Sequence, residues 1–408
     1  MSKYLQVFLG VLTAVGGFVD IGDLVTNGVA GSRFGMSLAW AVVLGVIGIV
    51  VFAEMSGRVA ACSGRAVFDL VRERLGPRAA LANLTGSMLV TLLTFVAEIG
   101  GVALAVQLVA DVSYLLIVPL VAFLVWLVIW RMKFSMLENV FGVLGLTMIV
   151  FGVALWKLQP DWSGLASGLL SGPSASESWP VYLYFAVGLL GSAMTPYEVF
   201  FFSSGGIEEK WTRDDVGVMR ANVFLGFPLG GALSLTIMAT SAAVLLPAGV
   251  EVSSLGEVAL PVAVALGKIG LAIAIIAFVS TTFGAALETG MSCGYTAAQY
   301  FGWTWGKQVA PKEAARYHVV VLGAVLVAVG VLMTTVDPIK LTEYSVVFSA
   351  VALPLTYFPI LVVANDRTYM GDRVNGRLGN AFGMVFLVIS GIASLAAIPL
   401  MILSKAGQ

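Results

Sequence analysis

The chain has 408 residues, of which 59% are hydrophobic and 11% are charged, and its mean hydropathy is +0.98. Soluble domains carry about a quarter charged residues, so the composition excludes a soluble globular protein and indicates a polytopic membrane protein. The formal net charge of −1 gives no sign of a nucleic-acid partner. Cys62 and Cys293 lie at the ends of apolar segments, so no disulfide framework is predicted.

Apolar segments long enough to cross a bilayer, at about 20 residues each, recur along the whole chain. We predict eleven of them, called spans 1 to 11, at residues 5–32, 37–61, 82–110, 113–130, 135–157, 180–205, 219–246, 260–296, 317–335, 341–364 and 380–403. The longest connection, residues 159–179, is rich in Ser, Gly and Pro and is predicted to be an exposed extracellular loop.

The distribution of positive charge predicts the orientation of these spans. With the N-terminus in the cytoplasm, 17 of the 22 Lys and Arg residues fall on cytoplasmic segments, and the C-terminus is extracellular. Because five spans form an odd number, a second set of five enters the membrane inverted. We therefore expect two halves of opposite topology, residues 1–158 and 180–365, followed by residues 366–408, which hold span 11 and the tail.

Two of the spans contain carboxylates beside helix breakers. Span 1 carries Asp20-Ile21-Gly22-Asp23, and span 6 carries Thr195-Pro196-Tyr197-Glu198. A charge at membrane depth is costly and usually marks an ion or substrate site, and irregular backbone is tolerated there only inside protein or along a wet cavity. Such a pair of breaks, one in each half, is typical of a transporter with inverted repeats.

The residue types at the breaks predict which ion is bound. If span 1 unwinds at Gly22, Asp20 and Asp23 converge on one point, opposite the Thr195 hydroxyl, the Glu198 carboxylate and carbonyls that Pro196 frees. Oxygen ligands suit hard divalent ions such as Mg²⁺, Ca²⁺ or Mn²⁺.

Each of these acids also has a simpler interpretation. Asp20 and Asp23 can cap a helix start, and Glu198 can face an aqueous vestibule without touching an ion. Glu98, within span 3, fits either an ion path or a buried hydrogen bond to a neighbouring helix. Glu288, within span 8, is expected near the cytoplasmic surface.

Several segments resemble the NRAMP family of divalent-metal transporters, in order and over nearly the whole chain. Asp20-Ile21-Gly22-Asp23 resembles the family's first-helix Asp-Pro-Gly-Asn element, and Met194-Thr195-Pro196-Tyr197-Glu198 resembles its sixth-helix Met-Pro-His-Asn element. Further matches are Ala97-Glu98-Ile99-Gly100, Val336-Asp337-Pro338 and the run Asp366 to Arg377. The resemblance implies an all-α, LeuT-like 5+5 inverted-repeat fold with discontinuous helices 1 and 6. It also implies that carbonyls near Gly17 and Ser192 are further metal ligands.

The departures from the family pattern point to a harder ion. The family's Asn becomes Asp23, and its Met, a soft ligand that favours transition metals, aligns with Thr195, while Met194 lies one position too early. Titratable family residues are replaced by Tyr197, Phe202 and Phe95, and Glu98 is kept. These changes resemble the prokaryotic NRAMP-related magnesium transporters, which carry Mg²⁺ and also Mn²⁺ without evident proton coupling.

The function predicted is therefore import of Mg²⁺ or Mn²⁺ by alternating access in a prokaryotic plasma membrane. The alternatives are a proton-coupled Mn²⁺/Fe²⁺ importer of the ordinary family type and a LeuT-fold symporter for a small organic solute. Beyond the transported ion and the lipid bilayer we predict no cofactor, no nucleic-acid partner and no obligate protein partner. An enzyme is not predicted, because the serine-hydrolase pattern Gly290-Met291-Ser292-Cys293-Gly294 lies inside an apolar helix rather than at a strand–turn–helix elbow.

Overall fold

The computed structural model describes residues 10–11, 18–110, 112–169, 171–173 and 177–407, and all regular secondary structure in that part of the chain is helical. Ten of the helices described there are long and apolar enough to cross a bilayer. They correspond to predicted spans 2 to 11. Span 1 is described mainly by its second half, Ile21–Phe34.

The other spans begin and end within a few residues of their predicted positions, except that spans 3 and 8 are longer. Their bounds are Ala39–Ser63, Pro77–Ala110, Tyr114–Arg131, Phe134–Leu158, Trp179–Ala193 with Pro196–Glu208, Val216–Ala248, Leu255–Phe301, Ala315–Leu332, Pro338–Ala364 and Arg377–Leu403. Short helices lie between them at Val67–Leu75, Trp162–Gly168 and Arg367–Met370. The connection predicted as a loop at residues 159–179 therefore contains one short helix.

Span 8 is 47 residues long, too long for one straight crossing. Its backbone kinks at Gly267, where φ is +67°, a conformation that glycine adopts without steric cost. The segment after the kink packs against span 3 and against the second half of span 6. Span 8 therefore forms a long wall beside both broken helices.

Glycine allows spans 6 and 10 to meet backbone to backbone just before the break in span 6. A Cβ atom on Gly191 would lie 2.1 Å from the carbonyl oxygen of Val346 and 3.0 Å from the amide nitrogen of Ala350. Real Cβ atoms do not approach backbone atoms so closely. Gly191 therefore fixes how near the end of the first half of span 6 lies to span 10.

We expect Gly191→Ala to destabilise the protein by about 3 kcal/mol, because overpacking of a close backbone contact forces helices apart. Gly188→Ala is the matched control, since its Cβ would lie at an ordinary 3.5 Å from Val346 Cγ2. Thermal unfolding in detergent measures the difference. Equal melting temperatures for the two variants would contradict this account of the contact.

Ion pairs and hydrogen bonds connect residues at both ends of the helix assembly. At one end, Glu54 of span 2 accepts from the guanidinium of Arg58 and from that of Arg220 on span 7, each at 2.9 Å. At the other, Arg33 pairs with Glu177 at 2.8 Å and donates to the carbonyl of Gly407 at 2.6 Å. The two broken segments lie between these ends.

Candidate metal site

The break in span 1 lies at Val19 and Asp20, and the helix resumes at Ile21. Asp20 has extended backbone angles, and its Oδ1 accepts a hydrogen bond from the amide of Asp23 at 2.9 Å. Asp20 is therefore the N-cap of the second half of the span, which satisfies one of the free amides at a helix start. This corrects the expectation that the helix unwinds at Gly22, because the cap places Gly22 inside the first helical turn.

Glu98 of span 3 satisfies another amide at the same helix start. Its Oε1 accepts from the amide of Ile21 at 3.1 Å, and the residue is fully buried. The structure thus contains the buried hydrogen bond that was one of two interpretations of Glu98. The other carboxylate oxygen, Oε2, is buried without a hydrogen-bond partner.

Asp23 is surrounded by hydroxyl and amide groups. Its Oδ1 accepts from Asn27 at 3.2 Å, whereas its Oδ2 is buried with no hydrogen-bond partner. The side chains of Ser192, at the end of the first half of span 6, and Ser234, on span 7, face this carboxylate with their hydroxyls. A buried carboxylate surrounded by hydroxyl oxygens has the chemistry of a cation site.

The break in span 6 lies between Ala193 and Pro196, where the helix resumes. Pro196 has no amide hydrogen, so the carbonyl of Ser192 loses the helical partner it would have from that position. The Thr195 hydroxyl donates to Glu198 Oε2 at 3.3 Å. Tyr197 is fully buried, and its hydroxyl faces the Asp20 carboxylate across the site.

Met194 contributes neither its sulfur nor its carbonyl to this space. The sulfur lies against Gly48 of span 2, only 2.5 Å from where a Cβ of that residue would be. The carbonyl accepts a hydrogen bond from the Tyr357 hydroxyl at 2.8 Å. The atoms at the breaks that could bind a metal ion are therefore oxygens.

Five carboxylates from four spans share this region. Asp20, Asp23, Glu98, Glu198 and Glu288 each interact electrostatically with at least one of the others. None of them belongs to an ion pair in the described part of the chain. Buried negative charge without a counter-charge is costly, so the arrangement favours a cation as the missing partner.

No three Asp, Glu, His or Cys side chains are placed to hold one metal ion together, as far as the described residues show. An ion bound at Asp20 and Asp23 would therefore complete its shell with hydroxyls, carbonyls and water. Of the predicted ligands, the structure brings Asp20, Asp23, Ser192, Thr195 and Glu198 to the two breaks. Gly17 lies outside the described residues.

Sequence reasoning missed Asn27, Ser234 and the depth of Glu288. Asn27 follows Asp23 by one helical turn, a spacing that could have revealed it. Ser234 lies on span 7, and no sequence signal links it to span 1. Glu288 lies well inside span 8, 13 residues before the helix ends at Phe301, which corrects its expected position near the membrane surface.

Sequence comparison identifies relatives along nearly the whole chain. The family model described as natural resistance-associated macrophage protein-like (Nramp) matches residues 10–399. The divalent metal cation transporter MntH 1 of Pseudomonas aeruginosa is 30% identical over an alignment of 403 residues in length, with coverage of 92% of this chain and 88% of that protein. The transporter MntH of Ralstonia nicotianae is 28% identical, with coverage of 95% and 88%.

Solved structures agree with this fold. The Eremococcus coleocola manganese transporter superposes with a TM-score of 0.76 at 18% identity and covers 99% of this chain and 88% of its own. Mhp1, a nucleobase-cation-symport-1 family transporter, superposes with a TM-score of 0.63 at 14% identity, with coverage of 98% and 92%. The predicted all-α, LeuT-like fold is thereby confirmed. With an Nramp match that spans residues 10–399, the chain belongs to the Nramp family.

Proposed function

We propose that this protein imports a hard divalent cation, Mg²⁺ and also Mn²⁺, by alternating access around the two breaks and without proton coupling. The observation that carries the proposal is the set of oxygen donors at both breaks, with the nearby Met194 sulfur turned toward Gly48. Oxygen ligands suit Mg²⁺ and Mn²⁺, and Mg²⁺ usually keeps several waters. A bacterial plasma membrane, with a cytoplasmic N-terminus and an extracellular C-terminus, is part of the same proposal.

The lack of a histidine at either break supports uncoupled transport. The chain has a single histidine, His318, which lies on span 9 against Tyr317 rather than at either break. Phe95, one turn before Glu98, is fully buried. The membrane potential supplies a driving force of about 2.3 kcal/mol per charge and 100 mV, so roughly twice that for a divalent ion.

A second candidate is proton-coupled transport of Mn²⁺. It is favoured by the relatives, which are named as divalent metal cation transporters and a manganese transporter, and by the unpartnered Oε2 of Glu98. A symporter for an organic solute is less well supported, because the carboxylates at the breaks would repel an anionic solute. The Mhp1 likeness concerns the fold alone.

Flux into proteoliposomes that contain both a Mg²⁺ indicator and a pH dye tests the proposal. We expect Mg²⁺ and Mn²⁺ to enter when the interior is made negative, with no acidification that follows metal entry. Failure to carry Mg²⁺ would contradict the hard-ion assignment. Acidification that scales with metal influx would instead establish the second candidate.

Thr195→Met should shift the selectivity from Mg²⁺ toward softer ions, because a thioether replaces a hydroxyl donor. We expect the ratio of Mn²⁺ to Mg²⁺ flux to rise about tenfold, a difference of roughly 1.4 kcal/mol. Thr195→Ser is the control, since it keeps the hydroxyl that donates to Glu198. Competition assays with both ions measure the ratio, and an unchanged ratio in Thr195→Met would remove Thr195 from the site.

A further inference from the structure

Glu288 is partly exposed, within an otherwise buried stretch of span 8. The structure describes all residues from Gly284 to Gln299, and all of them except Glu288 are buried. A lipid-facing residue would have exposed neighbours three and four positions away, on the same helix face. The corresponding neighbours Gly284, Ala285, Met291 and Ser292 are all buried. The accessible surface of Glu288 therefore opens into the interior of the protein.

The register between spans 6 and 8 places Glu288 at the level of the span 6 break. The rings of Phe201 and Tyr295 lie 6.3 Å apart, and Gln299 donates to Ser204 at 2.9 Å. These pairs are offset by 94 and 95 residues, so the two helices run in the same direction. The same offset carried back to Glu288 reaches Ala193 and Met194, where the first half of span 6 ends.

The register between spans 3 and 8 independently places Glu288 at the same depth. A Cβ on Gly290 would lie 3.1 Å from the ring of Phe95, and the Tyr300 hydroxyl donates to the carbonyl of Pro77 at 3.3 Å. Spans 3 and 8 therefore run in opposite directions, and Glu288 lies within about one helical turn of the level of Glu98. Glu98 in turn binds the first amide after the span 1 break.

We propose that Glu288 is a further wall of the ion site and binds the transported divalent cation through its water shell. This inference rests on the proposed function. The carboxylate lies within electrostatic range of Asp20, Glu98 and Glu198, and it retains accessible surface, unlike Asp20 and Asp23. An accessible carboxylate suits an ion that dehydrates reluctantly, because it attracts the charge without displacing the waters.

Glu288→Gln keeps the shape and hydrogen-bonding capacity of the side chain and removes its charge. We expect the half-saturation concentration for Mg²⁺ to rise about tenfold in proteoliposome flux, with the maximal rate unchanged. Glu288→Asp keeps the charge on a shorter side chain. Its half-saturation concentration for Mg²⁺ should lie between those of the wild-type protein and Glu288→Gln. Glu343→Gln is the matched control, since it removes one carboxylate from span 10 without touching the breaks, and it should behave like wild type.

Titration of each purified protein with Mn²⁺ gives a second readout that does not depend on turnover, and Glu288→Gln should weaken binding by a similar factor. Unchanged half-saturation and binding in Glu288→Gln, while Asp20→Asn abolishes flux, would overturn this inference and leave the proposed function intact. If the wild-type protein carries neither Mg²⁺ nor Mn²⁺, the proposed function fails instead. A rise in half-saturation in Glu343→Gln equal to that in Glu288→Gln would also overturn the inference, because the effect would then be nonspecific.

Discussion

Asp20→Asn should lose at least about 99% of divalent-cation flux, because a site that loses a direct charged ligand loses several kcal/mol of ion binding. The asparagine side-chain oxygen can still accept from the amide of Asp23, so the helix cap is retained. Asp20→Ala removes both the ligand and the cap. The two variants therefore separate the role of Asp20 in ion binding from its role in the fold.

Flux and thermal unfolding measured on the same preparations distinguish these roles. Both variants should be inactive in flux, whereas only Asp20→Ala should also lose about 1 kcal/mol of stability, the usual cost of removing an N-cap. Wild-type flux in Asp20→Asn would show that Asp20 is a cap and nothing more. That result would support the simpler interpretation of Asp20, in which it caps a helix and binds no ion.

Glu98→Ala should reduce flux more than tenfold, whereas Glu98→Gln should keep most of it. The alanine variant leaves the buried amide of Ile21 without an acceptor, which costs about 2 kcal/mol and releases the start of the helix that carries Asp20 and Asp23. Glutamine retains an acceptor oxygen at the same position. Under the proposed function Glu98 thus positions the site rather than carrying protons.

A pH series of the flux completes this test. Glu98→Gln should show the same pH profile as the wild-type protein, and Glu98→Ala should be low at every pH. If Glu98→Gln were as inactive as Glu98→Ala, the negative charge itself would be required. Acidification that follows metal entry in the wild-type protein would then place Glu98 on a proton path, as in the second candidate function, whereas flux without acidification would assign its charge to ion binding.

The architecture could be predicted because its signals are local. Apolar length and interrupting Pro and Gly residues are visible in sequence, so the spans and the break at Pro196 were predicted close to where they lie. The break in span 1 was placed too late, because a helix that starts at an Asp cap tolerates Gly22 in its first turn. The kink at Gly267 was not predicted, since an isolated glycine in an apolar helix gives a weak signal.

The parts of the site that were missed depend on how helices lie against one another. The depth of Glu288 follows from its register against spans 3 and 6, and Ser234 reaches Asp23 only because span 7 packs against span 1. Neither the depth of Glu288 nor the contact between Ser234 and Asp23 can be predicted from one sequence, because both depend on helix packing. The inverted relation between residues 1–158 and 180–365, which came from counting spans and charges, stays a prediction.

The two helix starts at the breaks also bear on how quickly the carrier can release its cargo. Each helix start carries a partial positive charge, and at the span 1 start the amides of Ile21 and Asp23 already have carboxylate partners, Glu98 and Asp20. Under the proposed function, an arriving ion would share the Asp20 carboxylate with the amide of Asp23, and on departure it would leave behind a carboxylate that already has a partner. Such sharing would shorten the residence time of the ion and stabilise the empty carrier, so the proposed function predicts fast turnover rather than tight binding.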